Sequence, residues 1–276
     1  MKKAKVFIAV LTVVIIIILP FALSSMTKTA NFDPTDDAEN KALQNATRQL
    51  AMFFMPSVCD FELYVTQPKG LKWSKYNLNF KVYSYDRLGN PKVKLTPNLV
   101  MKNGSIKEKY NYEELAGYLV RQSDFTANTI EWAELSDEKY YFIYCVFNGD
   151  IKFRSDAVFE IEDMLFGENG ESLLEWVGTR FADTDCMWGV PSRRRRFMTD
   201  TIPDPEIMQY MFKDNKHIRL LLDSGIYGDL SKVDVDKINF RSSKITAAVL
   251  YGKGSQLKTL ADNPLLTLTN LTESHN

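Results

Sequence analysis

The chain has 276 residues, with 34 basic and 35 acidic side chains and a formal net charge of -1. This balance excludes an overall positive field that would attract nucleic acid, so we expect no nucleic-acid partner. The three cysteines, Cys59, Cys145 and Cys186, are too few for a disulfide-framed scaffold and lack the paired spacing of a zinc site. We therefore expect no metal and no cofactor.

Residues 6–23 form an apolar run that only Thr12 and Pro20 interrupt. Three lysines precede the run, at Lys2, Lys3 and Lys5, and acidic residues follow it. Eighteen residues in a helix span about 27 Å, close to the roughly 30 Å hydrocarbon core of a bilayer. The positive-inside rule then predicts a single-pass protein of the inner (cytoplasmic) membrane, with its carboxyl-terminal part outside the cytoplasm.

A cleaved signal peptide is the alternative interpretation of the same segment. Pro20 would end a shorter apolar stretch, and Ala22 and Ser24 are small residues suited to a cleavage site. The mature protein would then be secreted or periplasmic. Both interpretations place the remaining chain outside the cytoplasm, and the choice between them stays open here.

The pattern beyond residue 35 predicts an α+β fold, with the transmembrane or signal helix followed by a mostly antiparallel sheet and flanking helices. A helix that Thr35 or Asp36 caps should end at Pro56. Residues 59–163 are predicted to form one antiparallel sheet, because they contain period-two segments such as "YNLNFKVYSY" and an Asn148-Gly149 hairpin signal. A short helix is expected within that region, in "YNYEELAGYLVRQ".

The last hundred residues are predicted to be more helical. We expect helices in "GESLLEWVGTRF" and "DPEIMQYMFKDNKHIRLLLDSG", and a strand in "NFRSSKITAAVLYG". The predicted organisation is a signal-anchor or signal peptide at 1–25, a juxtamembrane segment and helix at 26–58, one exported α+β domain at 59–270 and a polar tail at 271–276.

Catalytic motifs are weak, and we assign no catalytic residue. His217 is expected on a solvated helix face beside charged residues. Three Ser-x-x-Lys strings begin at Ser25, Ser136 and Ser255, but none has the accompanying elements of a Ser-Lys hydrolase. Paired carboxylates in "ADTDC" and "DVDK" do not extend into a calcium-binding loop, so they are interpreted as exposed loop charges.

The string "PSRRRR" is the one feature that composition does not explain. Its members are Arg193, Arg194, Arg195 and Arg196. Four adjacent guanidinium groups cannot be buried together without a carboxylate for each, so we expect an exposed loop, which Gly189 and Pro191 also favour. Guanidinium groups match carboxylate and phosphate geometry, so the four arginines are a candidate binding site for an acidic partner. A protease processing site and a solvated loop without a role remain alternatives.

Cys59 and Cys145 both lie on predicted strands. If one disulfide exists, we expect it to join these two across the sheet. Cys145 is otherwise expected to be a small buried residue.

No motif in the chain carries a resemblance to a particular family. The layout of a short cytoplasmic tail, one span, a helix and a mixed sheet is similar to that of bitopic subunits of bacterial secretion, conjugation or pilus machines. We therefore expect a non-enzymatic envelope protein that contacts the membrane through residues 6–23 and binds other envelope proteins. The alternatives are an exported soluble adhesin or ligand carrier and, third, an exported hydrolase.

Overall fold

The computed structural model describes residues 36–66, 75–85, 90–102, 105–110, 117–126, 131–154, 156–165, 172–181, 185–192, 212–225, 227, 230 and 243–273. Within these residues, no helix combines the length and the apolar composition needed to cross a membrane. The apolar run at residues 6–23, on which the membrane prediction rests, lies outside the described ranges.

The described part of the chain contains both helices and strands, which confirms the α+β class. The helices are α1 (Asp37–Phe54), α2 (Ala157–Met164), α3 (Lys216–Asp223) and the short α4 (Gly254–Leu257). The strands are β1 (Val58–Thr66), β2 (Lys75–Tyr85), β3 (Pro91–Leu95), β4 (Asn98–Lys102), β5 (Ser105–Tyr110), β6 (Tyr140–Phe147), β7 (Leu174–Arg180), β8 (Met187–Pro191), β9 (Ala247–Lys253) and β10 (Leu266–Glu273). Short 3-10 helices lie at Gln122–Phe125, Trp132–Glu134 and Lys258–Leu260.

The strands form two antiparallel five-stranded sheets, whereas residues 59–163 were predicted to form one. The first sheet has the order β1-β2-β4-β5, and β3 pairs with the far end of the long strand β2. The second sheet has the order β10-β6-β9-β7-β8. Strand β6 therefore does not join the first sheet, which precedes it in the chain. It lies in the second sheet, between β9 and β10 from the carboxyl-terminal part.

Helix α1 is confirmed where the sequence predicts it. The Asp36 side chain accepts a hydrogen bond from the Ala38 backbone N–H at 2.7 Å, and acidic residues in the first turn favour the positive end of the helix dipole. The buried face includes Leu43, Leu50 and Phe54, and it packs against β1, β8 and α3. The helix is thus part of the core and not a separate stalk.

Side chains from both sheets and from helices α1, α2 and α3 share one hydrophobic core. The opposite face of the second sheet carries another buried cluster, which includes Trp176, Phe142 and Tyr251. Because both faces of this sheet are covered, β7 and β8 are buried along nearly their whole length and lack the polar and apolar alternation of a half-exposed strand.

Three predicted elements differ from the structure, and burial on both faces explains the first of them. The segment 170–181, predicted to be a helix, contains strand β7, because an apolar run that is buried on both faces has no distinguishing period. Asn148-Gly149 does not join two paired strands, since β6 pairs with β9 and β10 and the segment that follows forms helix α2. Strand β10 continues to Glu273, into the expected polar tail.

Candidate functional site

The candidate binding residues Arg193, Arg194, Arg195 and Arg196 lie outside the described residues, which end at Ser192 and resume at Phe212. Both flanking residues are anchored in the core. Ser192 is fully buried, and its backbone N–H donates to the Glu175 carbonyl oxygen at 2.9 Å. Phe212 is buried against Phe54 and Phe181.

The structure corrects one premise of the arginine prediction. Gly189 and Pro191 were taken to favour a loop before the arginines, but both belong to the buried strand β8. Gly189 is required there because the Trp176 indole lies against it: a Cβ on Gly189 would stand 2.4 Å from that ring. The glycine thus allows two strands and an indole to pack closely, and it does not mark a turn.

His217 is buried in a cluster with the partly exposed Glu39, and does not lie on the solvated face that the sequence predicts. Its Nε2 is 2.8 Å from Glu39 Oε2, while Lys216 Nζ is 2.5 Å from Glu39 Oε1. Only 7% of His217 is exposed. The cluster joins the first turn of α1 to the first turn of α3, whose amino terminus Asn215 caps through its side chain.

The Lys216 hydrogen bond is the main reason that the pKa of Glu39 lies below its ordinary value of 4.5, and His217 lowers this pKa further. An ionised carboxylate only accepts hydrogen bonds, so His217 Nε2 must carry the proton and donate it. The hydrogen bond between Glu39 and His217 therefore holds the imidazole in place and links α1 to α3.

Replacing Glu39 by glutamine should lower the free energy of unfolding by about 1 kcal/mol at neutral pH. The amide carries no negative charge, and its single oxygen cannot replace both carboxylate oxygens that accept from Lys216 and His217. A carboxyl group with a depressed folded-state pKa stabilises the fold above its unfolded pKa, and this contribution is lost as the pH falls through the folded pKa. Urea unfolding of wild type and Glu39→Gln should therefore differ at pH 7 and converge as the pH falls further below 4.5. Glu138→Gln, at an exposed position, is the control. A difference that is independent of pH would contradict the assignment.

Two of the three Ser-x-x-Lys strings meet in the structure, and the string at Ser25 lies outside the described residues. The Gly254 N–H donates to the Lys139 carbonyl oxygen at 2.9 Å, so the loop that begins at Ser136 packs against α4. However, Lys258 Nζ lies 2.7 Å from Asp137 Oδ1 and forms an ion pair, while Ser255 is exposed. An ammonium group paired with a carboxylate is not arranged as the neutral base of a Ser-Lys dyad.

Within the described residues, no group of three or more histidine, cysteine and acidic side chains could hold a metal ion. Of the two carboxylate pairs noted in the sequence, Asp185 is described, but Asp183 and the "DVDK" segment are not.

The cysteine prediction is wrong in its geometry. All three cysteines are buried thiols, as expected for Cys145, whose pKa burial raises. Cys59 lies in β1 of the first sheet and Cys145 in β6 of the second, so they cannot pair across one sheet.

A polar and aromatic cluster on the solvent face of the first sheet was not singled out from the sequence. Tyr64, which is 45% exposed, donates a hydrogen bond through its hydroxyl to Glu62, and Lys81 Nζ lies 4.7 Å from the Tyr64 ring centroid. Glu62 also raises the pKa of Tyr83 to about 12 by accepting its hydrogen bond. The period-two pattern of β1 does place Glu62 and Tyr64 on one face, so the signal was present in the sequence.

Comparison with known proteins gives no relative: no protein family, no curated protein and no solved structure matches this chain.

Proposed function

We propose that the chain is a non-enzymatic single-pass envelope protein whose extracytoplasmic domain binds partner proteins as a subunit of a secretion, conjugation or pilus-type assembly. The observation that carries this proposal is the apolar run at residues 6–23 behind three lysines, followed by acidic residues. Its localisation is the inner membrane, with the domain outside the cytoplasm.

The packing of α1 supports a tethered domain. Only residues 24–36 separate the apolar run from α1, and α1 is buried against β1, β8 and α3. A segment held in the membrane would therefore keep α1 within about 45 Å of it, the reach of the 13 residues 24–36 when fully extended. Such a connection suits a subunit whose domain must keep a defined place beside the membrane.

The second candidate function is an exported soluble binding protein that signal cleavage releases. Pro20 and the small residues Ala22 and Ser24 favour it. The intact mass of the native protein decides between the two, because cleavage would remove about two dozen residues, as signal peptidase does with a typical leader. The hydrolase alternative has less support, because Lys258 is held in an ion pair with Asp137.

A topology reporter tests what both candidates share. An enzyme that is active only outside the cytoplasm, fused after Asn276, should be active, because lysines before the run keep the amino terminus in the cytoplasm. The control replaces the lysines: Lys2→Glu, Lys3→Glu and Lys5→Glu together remove the positive charge before the run and should reduce reporter activity. An intact fusion protein that shows no activity would contradict both candidates.

We also propose that Arg193, Arg194, Arg195 and Arg196 bind an acidic surface of the partner. Replacing all four by serine should leave the melting temperature nearly unchanged, because exposed charges contribute little to stability. It should weaken binding of a polyglutamate probe by about tenfold at low salt, because four guanidinium–carboxylate contacts are lost. The loss should shrink at higher salt, because the Debye length is about 10 Å at 0.1 M and shorter above it.

The matched control removes the same charge elsewhere. Four exposed lysines, Lys41, Lys92, Lys102 and Lys107, are replaced by serine. Equal loss of polyglutamate binding in both variants would show a general charge effect, and an arginine variant that misfolds would show that the arginines are structural.

A further inference from the structure

Strand β1 is an edge strand of the first sheet: β2 pairs with one of its edges, and the other edge faces outward. The outward edge is already used at one residue: the Phe61 N–H donates to Asp60 Oδ1 at 2.7 Å, and the Phe61 carbonyl oxygen accepts from Arg48 Nε at 3.1 Å. Because antiparallel pairing alternates, the backbone groups of Leu63 and Val65 point the same way as those of Phe61, away from β2.

In the part of the chain that the structure describes, Leu63 and Val65 have no partner for these outward N–H and C=O groups. Natural sheet edges are commonly protected by lysine, proline or a bulge. In β1 the bulge lies between Val58 and Asp60, at the other end of the strand, and the segment from Glu62 to Thr66 contains neither lysine nor proline. The unprotected half of the edge is therefore short and well defined.

We propose that this edge pairs with a second copy of the chain, antiparallel and with Tyr64 opposite Tyr64 of the copy. In this register Leu63 faces Val65 of the partner chain, and each of these two pairs exchanges two backbone hydrogen bonds. All the outward groups of Leu63 and Val65 are then satisfied, while the Phe61 groups keep their bonds to Asp60 and Arg48.

The neighbouring register is disfavoured by the same contacts. Centring the pairing on Leu63 would place Phe61 opposite Val65 of the copy, and the Phe61 backbone groups would have to give up Asp60 and Arg48. Satisfied polar groups thus favour the register centred on Tyr64 over the one centred on Leu63.

The side chains also match in this register. Leu63 and Val65 are half-buried apolar residues at the margin of the core, and pairing would place one against the other. On the solvent face, the exposed Tyr64 rings would meet across the two-fold axis, where side chains of a non-hydrogen-bonded pair are closest. Glu62 would lie opposite Thr66, so no like charges oppose each other. The inference concerns the domain alone and does not depend on the proposed function.

Disulfide trapping in the full-length chain tests the register. The Tyr64→Cys chains should form a covalent dimer under mild oxidation, because a non-hydrogen-bonded antiparallel pair brings its α-carbons to about 4.5 Å, within disulfide reach. Thr66→Cys is the matched control: in this register the two Thr66 α-carbons are roughly 13 Å apart, so its dimer yield should be about tenfold lower. The native cysteines are buried, and wild type shows their background.

Mixing Glu62→Cys chains with Thr66→Cys chains gives a second readout, since these positions face each other. The mixture should form the heterodimer, whereas each variant alone should not. Val65→Pro removes one outward N–H without touching the ladder to β2, so adding it to Tyr64→Cys should abolish the covalent dimer while the fold is retained. Absence of the Tyr64→Cys dimer, or equal yields at Tyr64 and Thr66, would overturn the proposal.

Discussion

Replacing Gly178 by alanine is expected to destabilise the protein by about 3 kcal/mol or more, through overpacking of a buried site. A Cβ at this position would stand 2.1 Å from the Trp176 indole and 2.4 Å from the Trp188 carbonyl oxygen. Neither obstacle can move cheaply. Trp176 is fully buried, and its Nε1 donates to the Phe53 carbonyl oxygen at 3.2 Å, while the Trp188 carbonyl belongs to the neighbouring strand β8.

Gly252 on β9 provides the control for this substitution. Its added Cβ would meet Leu173 Cδ2 at 3.0 Å and Gln256 Oε1 at 3.4 Å, both terminal side-chain atoms that need to shift by only a few tenths of an ångström and not backbone or a ring. Gly252→Ala should therefore cost less than about 1 kcal/mol. Urea unfolding followed by tryptophan fluorescence measures both variants. If Gly178→Ala is as stable as Gly252→Ala, the close packing of Trp176 on β7 and β8 is wrong.

The first sheet shows why part of the fold could be predicted. In β1 and β2, polar residues such as Glu62 and Asn79 alternate with buried ones such as Phe61 and Phe80, because one face of that sheet meets solvent. The period-two pattern therefore reports the strand and its faces together. Helix α1 was equally clear, since its cap, its acidic first turn and its apolar stripe all agree.

The second sheet shows where local pattern stops being informative. Strand β7, "LEWVGTR", is buried on both faces, so its apolar residues have neither a helical nor a strand period. Its place beside β8 and β9 depends on tertiary contacts such as that of Gly178 with Gly189, which no local sequence pattern predicts. The sheet order, in which β6 pairs with strands more than a hundred residues away, is likewise a tertiary choice.

The candidate sites follow the same distinction. His217 was expected in solvent because its sequence neighbours are charged, but Glu39, its partner, lies 178 residues away along the chain. The Lys258 ion pair with Asp137 also joins distant segments and changes what Ser255 can do. The open edge of β1 draws on both kinds of information: the strand pattern was present in the sequence, but the strand order that places β1 at the edge comes from the structure. Backbone alternation then fixes which groups point outward.

Replacing Phe54 by alanine is expected to lower the free energy of unfolding by about 4 kcal/mol, the range for deleting a buried aromatic side chain. Phe54 is fully buried near the end of α1. Its ring meets those of Phe181 and Phe212 edge to face, with centroids 5.1 and 5.7 Å away. Truncation removes both aromatic contacts and leaves a cavity beside the buried rings of Phe181 and Phe212, which would have to move to fill it.

The consequence of the Phe54 change should reach beyond stability, because its ring packs on Phe212, the residue that follows the undescribed arginine segment. Met164→Ala, at a position that is 49% exposed, is the control and should change the free energy of unfolding by no more than about 0.5 kcal/mol. Urea midpoints of the two variants give the comparison. Since Phe212 is the first described residue after the arginines, Phe54→Ala should also increase protease cleavage between Ser192 and Phe212 in the folded protein. Unchanged stability together with unchanged cleavage would show that α1 is not anchored as described.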